Sequence, residues 1–159
     1  MRYLGLDLGT RTLGISISDT TLTIASTLKT IRFSDSDYDS LIEPLKKITE
    51  EYNISKIILG YPKNMNNTIG DRCKTTLEFR DKLVELINIE VVLQDERRTT
   101  IEATNYMLEA DISRKKRKKK IDSLAANIIL QTYLDREKGG NLWKKKQWLL
   151  KLWTMKEKK

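Results

Sequence analysis

The 159-residue sequence contains no histidine and a single cysteine. Without histidine, a Ser-His-Asp triad, a Cys-His dyad and any His-ligated zinc site are excluded. One cysteine excludes an internal disulfide framework and fits a reducing compartment. No apolar run approaches the ~18 residues of a membrane span. Asp7 interrupts the apolar opening MRYLGLDLG, so no signal peptide is expected. These absences lead to the expectation of a soluble, cytoplasmic protein with no membrane insertion.

What is present is charge. Apolar residues make up 39% and charged residues 33%, against typical values of about 45–50% and about 25%. The length suits one compact domain with a heavily charged surface. Residues 1–113 carry 14 basic and 18 acidic side chains, a net −4, whereas residues 114–159 carry 16 basic and 4 acidic ones, a net +12. A mildly acidic body joined to a basic last third points to a polyanionic partner. Residues 114–120 read RKKRKKK. Such a run is either a solvated loop or a phosphate-binding segment that gains affinity by counterion release, through Lys115, Lys116, Arg117 and Lys118.

Periodicity supplies the elements. Leu4, Leu6 and Leu8 share one parity of a strand over residues 2–9, and Tyr3, Gly5, Asp7 and Gly9 the other. Leu13, Ile15 and Ile17 mark a second strand and residues 22–31 a third, which suggests an antiparallel meander. Leu41, Leu45 and Ile48 give a helix over 40–52; 56–60 is a buried strand, 63–70 a polar loop, 71–88 a helix and 89–93 another strand. In the 71–88 helix, Cys73 is expected in the core on the face of Leu77, Val84 and Ile87. A Thr99-x-x-Glu102 capping box opens a helix to about residue 110, and further helices are expected over 121–136 and 141–155. The expected fold is an α/β sandwich around a mixed sheet, three antiparallel strands extended by parallel strands through helical crossovers.

Three acidic positions draw attention. A carboxylate on an apolar strand such as Asp7 is costly unless paired, hydrogen-bonded or metal-bound, and Gly5 and Gly9 beside it are expected to leave room for a ligand. The plainer reading of Asp7 is a strand-end cap. Asp95 and Glu96 follow the strand IEVVL, at the end where open α/β sheets bind ligands; they also read as a polar loop. Asp122 precedes Ala125 and Ala126, whose small side chains let a helix lie close to a sheet, yet it also reads as a helix N-cap. Three carboxylates from separate elements suit Mg²⁺ or Mn²⁺, and a two-ion site hydrolyses phosphodiesters without histidine.

Four blocks then carry a resemblance. GLDLGTRTLGISISD (5–19), IILGYPKNMNNTIG (57–70), QDERRTT (94–100) and IDSLAANIILQTYL (121–134) are together similar to the YqgF family, also called RuvX. The resemblance implies a ribonuclease H-like fold, a metal-dependent nuclease activity and an acidic site of Asp7, Glu96 or Asp95, and Asp122. It implies a nucleic-acid partner, with maturation of the 5′ end of pre-16S ribosomal RNA favoured over cleavage of branched DNA at Holliday junctions. Arg11, Arg97 and Arg98 are candidates for phosphate oxygens, or else surface charges. A non-catalytic RNA-binding assembly factor is the reading from another class, and monomer and homodimer both stay open. Residues 1–136 are expected to form the nuclease domain. Residues 137–159 form a basic extension with Trp143, Trp148 and Trp153, to which the resemblance assigns nothing. Steps of five residues rotate each tryptophan by about 140° from the last, so they form no single stripe.

Overall fold

The leucine parity of the first strand sets the orientation of the whole sheet. The computed structural model describes residues 1–61, 71–95, 113, 115 and 124–137. They contain strands β1 (Arg2–Leu8), β2 (Thr12–Ser18) and β3 (Ala25–Arg32), a 3₁₀ turn (Tyr38–Leu41), helix α1 (Ile42–Glu51), β4 (Ile54–Tyr61), α2 (Asp71–Ile87), β5 (Glu90–Asp95) and α3 (Ala125–Glu137). The strands form one sheet ordered β3-β2-β1-β4-β5. β1–β2 and β2–β3 are antiparallel, β1–β4 and β4–β5 parallel. This is the expected mixed sheet. The expected loop at 63–70, the helices over 99–110 and 141–155, and residues 121–123 of the late helix lie outside the described residues.

Each face of the sheet buries its own layer. Leu4, Leu6 and Leu8 of β1, with Leu13, Ile15, Ile57 and Leu59, pack on Leu45 and Ile48 of α1 and on Phe79 and Leu83 of α2. On the other face Tyr3 and Ile58 pack on Ile129, Leu130 and Leu134 of α3. Helix α3 has almost no exposed side, as expected of a helix that is apolar on several sides.

Local chemistry sets the boundaries. Asn53 and Asn88 take positive φ, 53° and 59°, the first directly before β4 and the second two residues before β5. Asparagine tolerates this left-handed conformation better than most residues, so each helix can stop and turn into its strand. The third strand starts at Ala25 rather than Leu22 because Asp19 organises the preceding loop. Its carboxylate accepts hydrogen bonds from the amides of Thr23 (2.8 Å) and Ile24 (3.0 Å), with Leu22 at φ 58°. The buried stripe of α2 is Cys73, Thr76, Phe79 and Leu83. Cys73 is core as expected, but Val84 is 46% exposed. The inward face therefore follows Phe79 and not the Leu77–Val84 line.

Candidate active site

Asp7 lies one residue from the carboxyl end of β1. Across the ladder its partner is Gly14 of β2, and the partner of Gly14 on β3 is Thr30. This row lies on the α3 side of the sheet. A cleft of about 280 Å³ opens over it. β1 and β2 contribute Asp7, Thr12 and Gly14; β3 contributes Thr27, Lys29 and Thr30; α3 contributes its first residues, Ala125 to Asn127.

Helix α3 can reach the sheet so closely because small residues face it. The Ser16 hydroxyl donates to the Ala126 carbonyl at 2.8 Å. A Cβ at Gly5 would sit 2.3 Å from Ser16 Oγ and 2.7 Å from Leu130 Cβ. Gly5 thus makes room for the helix and not for a ligand, which corrects the sequence expectation. Gly9 closes the turn, its amide donating to the Thr12 carbonyl at 2.9 Å. Gly14 is the residue that keeps the cleft floor open: a Cβ there would be 3.7 Å from Asp7 Cβ and 3.6 Å from Ala126 Cβ.

Two buried amides fix α3 against the sheet edge. Gln131 accepts from the Ala25 amide and donates to the Thr23 carbonyl, both at 2.9 Å. One turn earlier, Asn127 accepts from the Thr27 hydroxyl at 3.3 Å.

Asp7 is half-buried, and among the described residues its carboxylate has no hydrogen-bond or ion-pair partner. A carboxylate in that setting is poorly solvated and gains from a cation. The oxygen chemistry and the open space beside it fit one ligand of a hard divalent ion. Among the described residues no group of three or more metal-binding side chains occurs.

The other expected residues divide as follows. Asp95 ends β5 opposite Tyr61. It shares the parity of Val91 and Leu93, which pack on the α1 and α2 side, so strand alternation puts it on the face opposite Asp7. Gln94, buried, and Val92 have the parity of the α3 side. Arg11 is exposed in the turn after β1 and does not line the cleft. Lys115 is exposed. Glu96, Arg97, Arg98, Lys116, Arg117, Lys118 and Asp122 lie outside the described residues.

The sequence reading missed Thr12, Thr27, Lys29, Thr30 and Asn127. A signal existed for β3. Its core-facing Leu28 and Ile31 are three apart rather than two, the mark of an inserted residue. The β2–β3 register indeed shifts there, with Ser16 opposite Thr27 and Ile15 opposite Lys29. That bulge leaves Thr27 and Thr30 on the face of Ser16 and Gly14, the cleft side, while Lys29 stands opposite core-facing Ile15.

Comparison with known proteins agrees with this architecture. Two solved structures of Thermus thermophilus RuvC, one bound to a Holliday junction, superpose with TM-scores of 0.54 and 0.56 at 10% and 11% identity. Each alignment covers 88% of this chain, and 97% and 98% of RuvC respectively. The fold is therefore the ribonuclease H-like fold of such resolvases. A protein of Clostridium botulinum named "Putative pre-16S rRNA nuclease" is 51% identical over 135 residues, 85% of this chain and 97% of its own. One of the same name from Caldanaerobacter subterraneus is 46% identical over 141 residues, 88% of this chain and 100% of its own. The family model described as "RuvX: Holliday junction resolvase" matches residues 1–136, and this chain belongs to the RuvX, or YqgF, family.

Proposed function

We propose that the protein is a metal-dependent phosphodiesterase that cleaves structured RNA in the cytoplasm, with the 5′ region of pre-16S ribosomal RNA as its substrate. The observation that carries this reading is the Asp7 carboxylate near the carboxyl end of β1, open to a cleft and without a partner among the described residues. The names of the 51% and 46% identical relatives favour RNA over DNA.

In this reading Asp7, Glu96 and Asp122 hold the divalent ions. Asp95 is disfavoured as third ligand by its parity on β5. Mg²⁺ or Mn²⁺ bound there supplies an activated water and a counter-charge for the leaving oxygen. The chain's own part is positional. β1 is clamped between β2 and β4, so Asp7 is held on a rigid strand, and the contact of α3 at Gly5 and Ser16 fixes the helix end nearest the cleft. Arg11, Arg97, Arg98 and the basic run from Lys115 to Lys118 serve phosphates away from the reacting one.

Branched-DNA cleavage is the second reading, favoured by the family description and by the RuvC fold. It requires two sites facing one junction and so a symmetric dimer. The deciding experiment compares a pre-16S 5′-end RNA fragment with a four-way DNA junction, in Mg²⁺ or Mn²⁺, for wild type and Asp7→Asn. Cutting of the RNA alone, lost in Asp7→Asn, is the expected result. Junction cutting selects the resolvase. Tight binding with no cutting of either overturns both in favour of a non-catalytic assembly factor.

A further inference from the structure

The end of the sheet opposite the cleft collects apolar surface and uncompensated negative charge. α1 and α2 lead into the parallel strands β4 and β5, so both helices finish beside the amino ends of those strands. β3 runs parallel to β1, because two antiparallel pairings separate them, and it too starts at this end. Among the described residues the exposed large apolar side chains are Met1, Ile24, Val84 and Leu86. Met1 directly precedes β1, Ile24 directly precedes β3, and Val84 and Leu86 lie in the last turn of α2, so all four stand at this end. Single apolar residues scattered over a surface need no explanation, whereas their concentration at one end does. A helix C-terminus carries partial negative charge and is stabilised by cations. The last turns of α1 and α2 contain no basic residue. They carry Glu50, Glu51 and Glu85 instead, exposed and without an ion pair among the described residues.

We propose that residues 138–159 dock on this end of their own domain, apolar side chains covering Val84 and Leu86 and lysines facing the C-termini of α1 and α2. The segment matches the surface in both respects. It has eight lysines against one glutamate, and eight large apolar residues between Leu142 and Met155. It also starts in the right place. α3 begins at the cleft and ends at Glu137, whose carboxylate is 3.5 Å from the Lys56 ammonium. That ammonium is 4.0 Å from Glu90, the first residue of β5. From there residues 138–141, with Gly139 and Gly140 able to turn freely, span up to about 13 Å, enough to pass under the sheet edge to the last turn of α2. The lysines of the segment then lie away from the cleft, so this part of the basic last third braces the domain and is not an arm for the substrate.

All three tryptophans, Trp143, Trp148 and Trp153, belong to this segment, so tryptophan fluorescence of the full chain reports on it alone, whatever the substrate of the cleft. Wild-type emission should be blue-shifted from that of the urea-unfolded chain and shielded from acrylamide, and neither dilution nor added RNA should change it. Leu86→Lys and Glu85→Lys alter exposed side chains and should leave the circular-dichroism spectrum intact. They should nonetheless shift the emission to the red and raise the acrylamide quenching constant towards the unfolded value. Asp35→Lys, the same charge reversal at an exposed position beyond the other end of β3, should change neither. Wild-type emission equal to that of the unfolded chain overturns the docking. Shielding that survives both Leu86→Lys and Glu85→Lys overturns this surface as its place. Shielding lost on dilution assigns the contact to a second copy, and shielding gained only with RNA assigns it to nucleic acid; either overturns an intramolecular brace.

Discussion

Gly14 lies directly across the β1–β2 ladder from Asp7, and a Cβ at Gly14 would stand 3.7 Å from that of Asp7. That distance is ordinary contact, so alanine fits while a long side chain would fill the cleft. Gly14→Ala should fold normally and keep cleavage, whereas Gly14→Leu should fold but lose cleavage by blocking the substrate. Gly5, two residues from Asp7, should behave in the opposite way. Its Cβ would collide with Ser16 Oγ and Leu130 Cβ. Overpacking of this kind costs about 1–3 kcal/mol, so Gly5→Ala should lower the thermal midpoint by about 2–12 °C. Melting curves beside cleavage rates distinguish the two glycines.

Asp7→Asn keeps the shape of the side chain and removes its charge. Metal-dependent cleavage should be abolished, as it should be in wild type when EDTA removes the divalent ion. RNA binding and folding should persist. If Glu96 and Asp122 share the site, removing one of three like charges relieves repulsion in the metal-free protein. The metal-free melting temperature of Asp7→Asn should then equal or exceed that of wild type. A fall would mean that Asp7 has a stabilising partner, although it has none among the described residues.

Much of this was legible in the sequence, and the reasons differ by residue. The Leu4, Leu6, Leu8 parity declared the buried face of β1 because alternation follows directly from strand geometry. Asp7 stood out because an ionisable group in such a strand needs a reason. Alternation does not say what covers a face, so Gly5 was assigned to a ligand when it accommodates α3. For Asp95, the choice of face depended on its pairing with Tyr61, a tertiary register that no local pattern encodes. The turning of Thr30 to the cleft face was hidden by a bulge whose trace is one irregular interval between Leu28 and Ile31.

Asp19 offers a test in acid. Its burial raises the carboxyl pKa, but hydrogen bonds from the Ile24 amide, the Thr21 hydroxyl and the Thr23 amide outweigh this, and the pKa is lowered from 3.8. A carboxyl whose folded pKa lies below its unfolded value adds stability above the unfolded pKa and loses it as pH falls through the folded one. Asp19→Ala should therefore cost about 1 kcal/mol at neutral pH, a modest figure because the group is largely solvated. The difference from wild type should shrink below about pH 4. Urea denaturation at pH 7 and pH 3 measures both.

Lys56 permits the stability of the fold to be changed without touching the cleft. Its ammonium donates to the Tyr133 hydroxyl at 3.0 Å and lies 3.5 Å from Glu137 and 4.9 Å from the centre of the Tyr3 ring. The bond to Tyr133 and the nearby Glu137 hold Lys56 well above the usual lysine range, against the opposing effect of burial. Burial and the bond to Glu137 likewise raise Tyr133 above 10.0. Both groups have raised folded pKa values. Their contribution is therefore complete below the unfolded values and is lost as pH rises past them. Wild-type stability from this cluster should be flat from about pH 6 to 9 and decline above about 10. Lys56→Met should lower stability by about 1–2 kcal/mol at pH 8 and remove the Lys56 share of that alkaline decline, while Tyr133, whose pKa Lys56 holds down, keeps its own. Tyr3, which Lys56 covers, stands four residues before Asp7 on β1, about 13 Å away. RNA cleavage well below the melting temperature should accordingly match wild type, and a lost rate in Lys56→Met would show that the two ends of β1 are coupled.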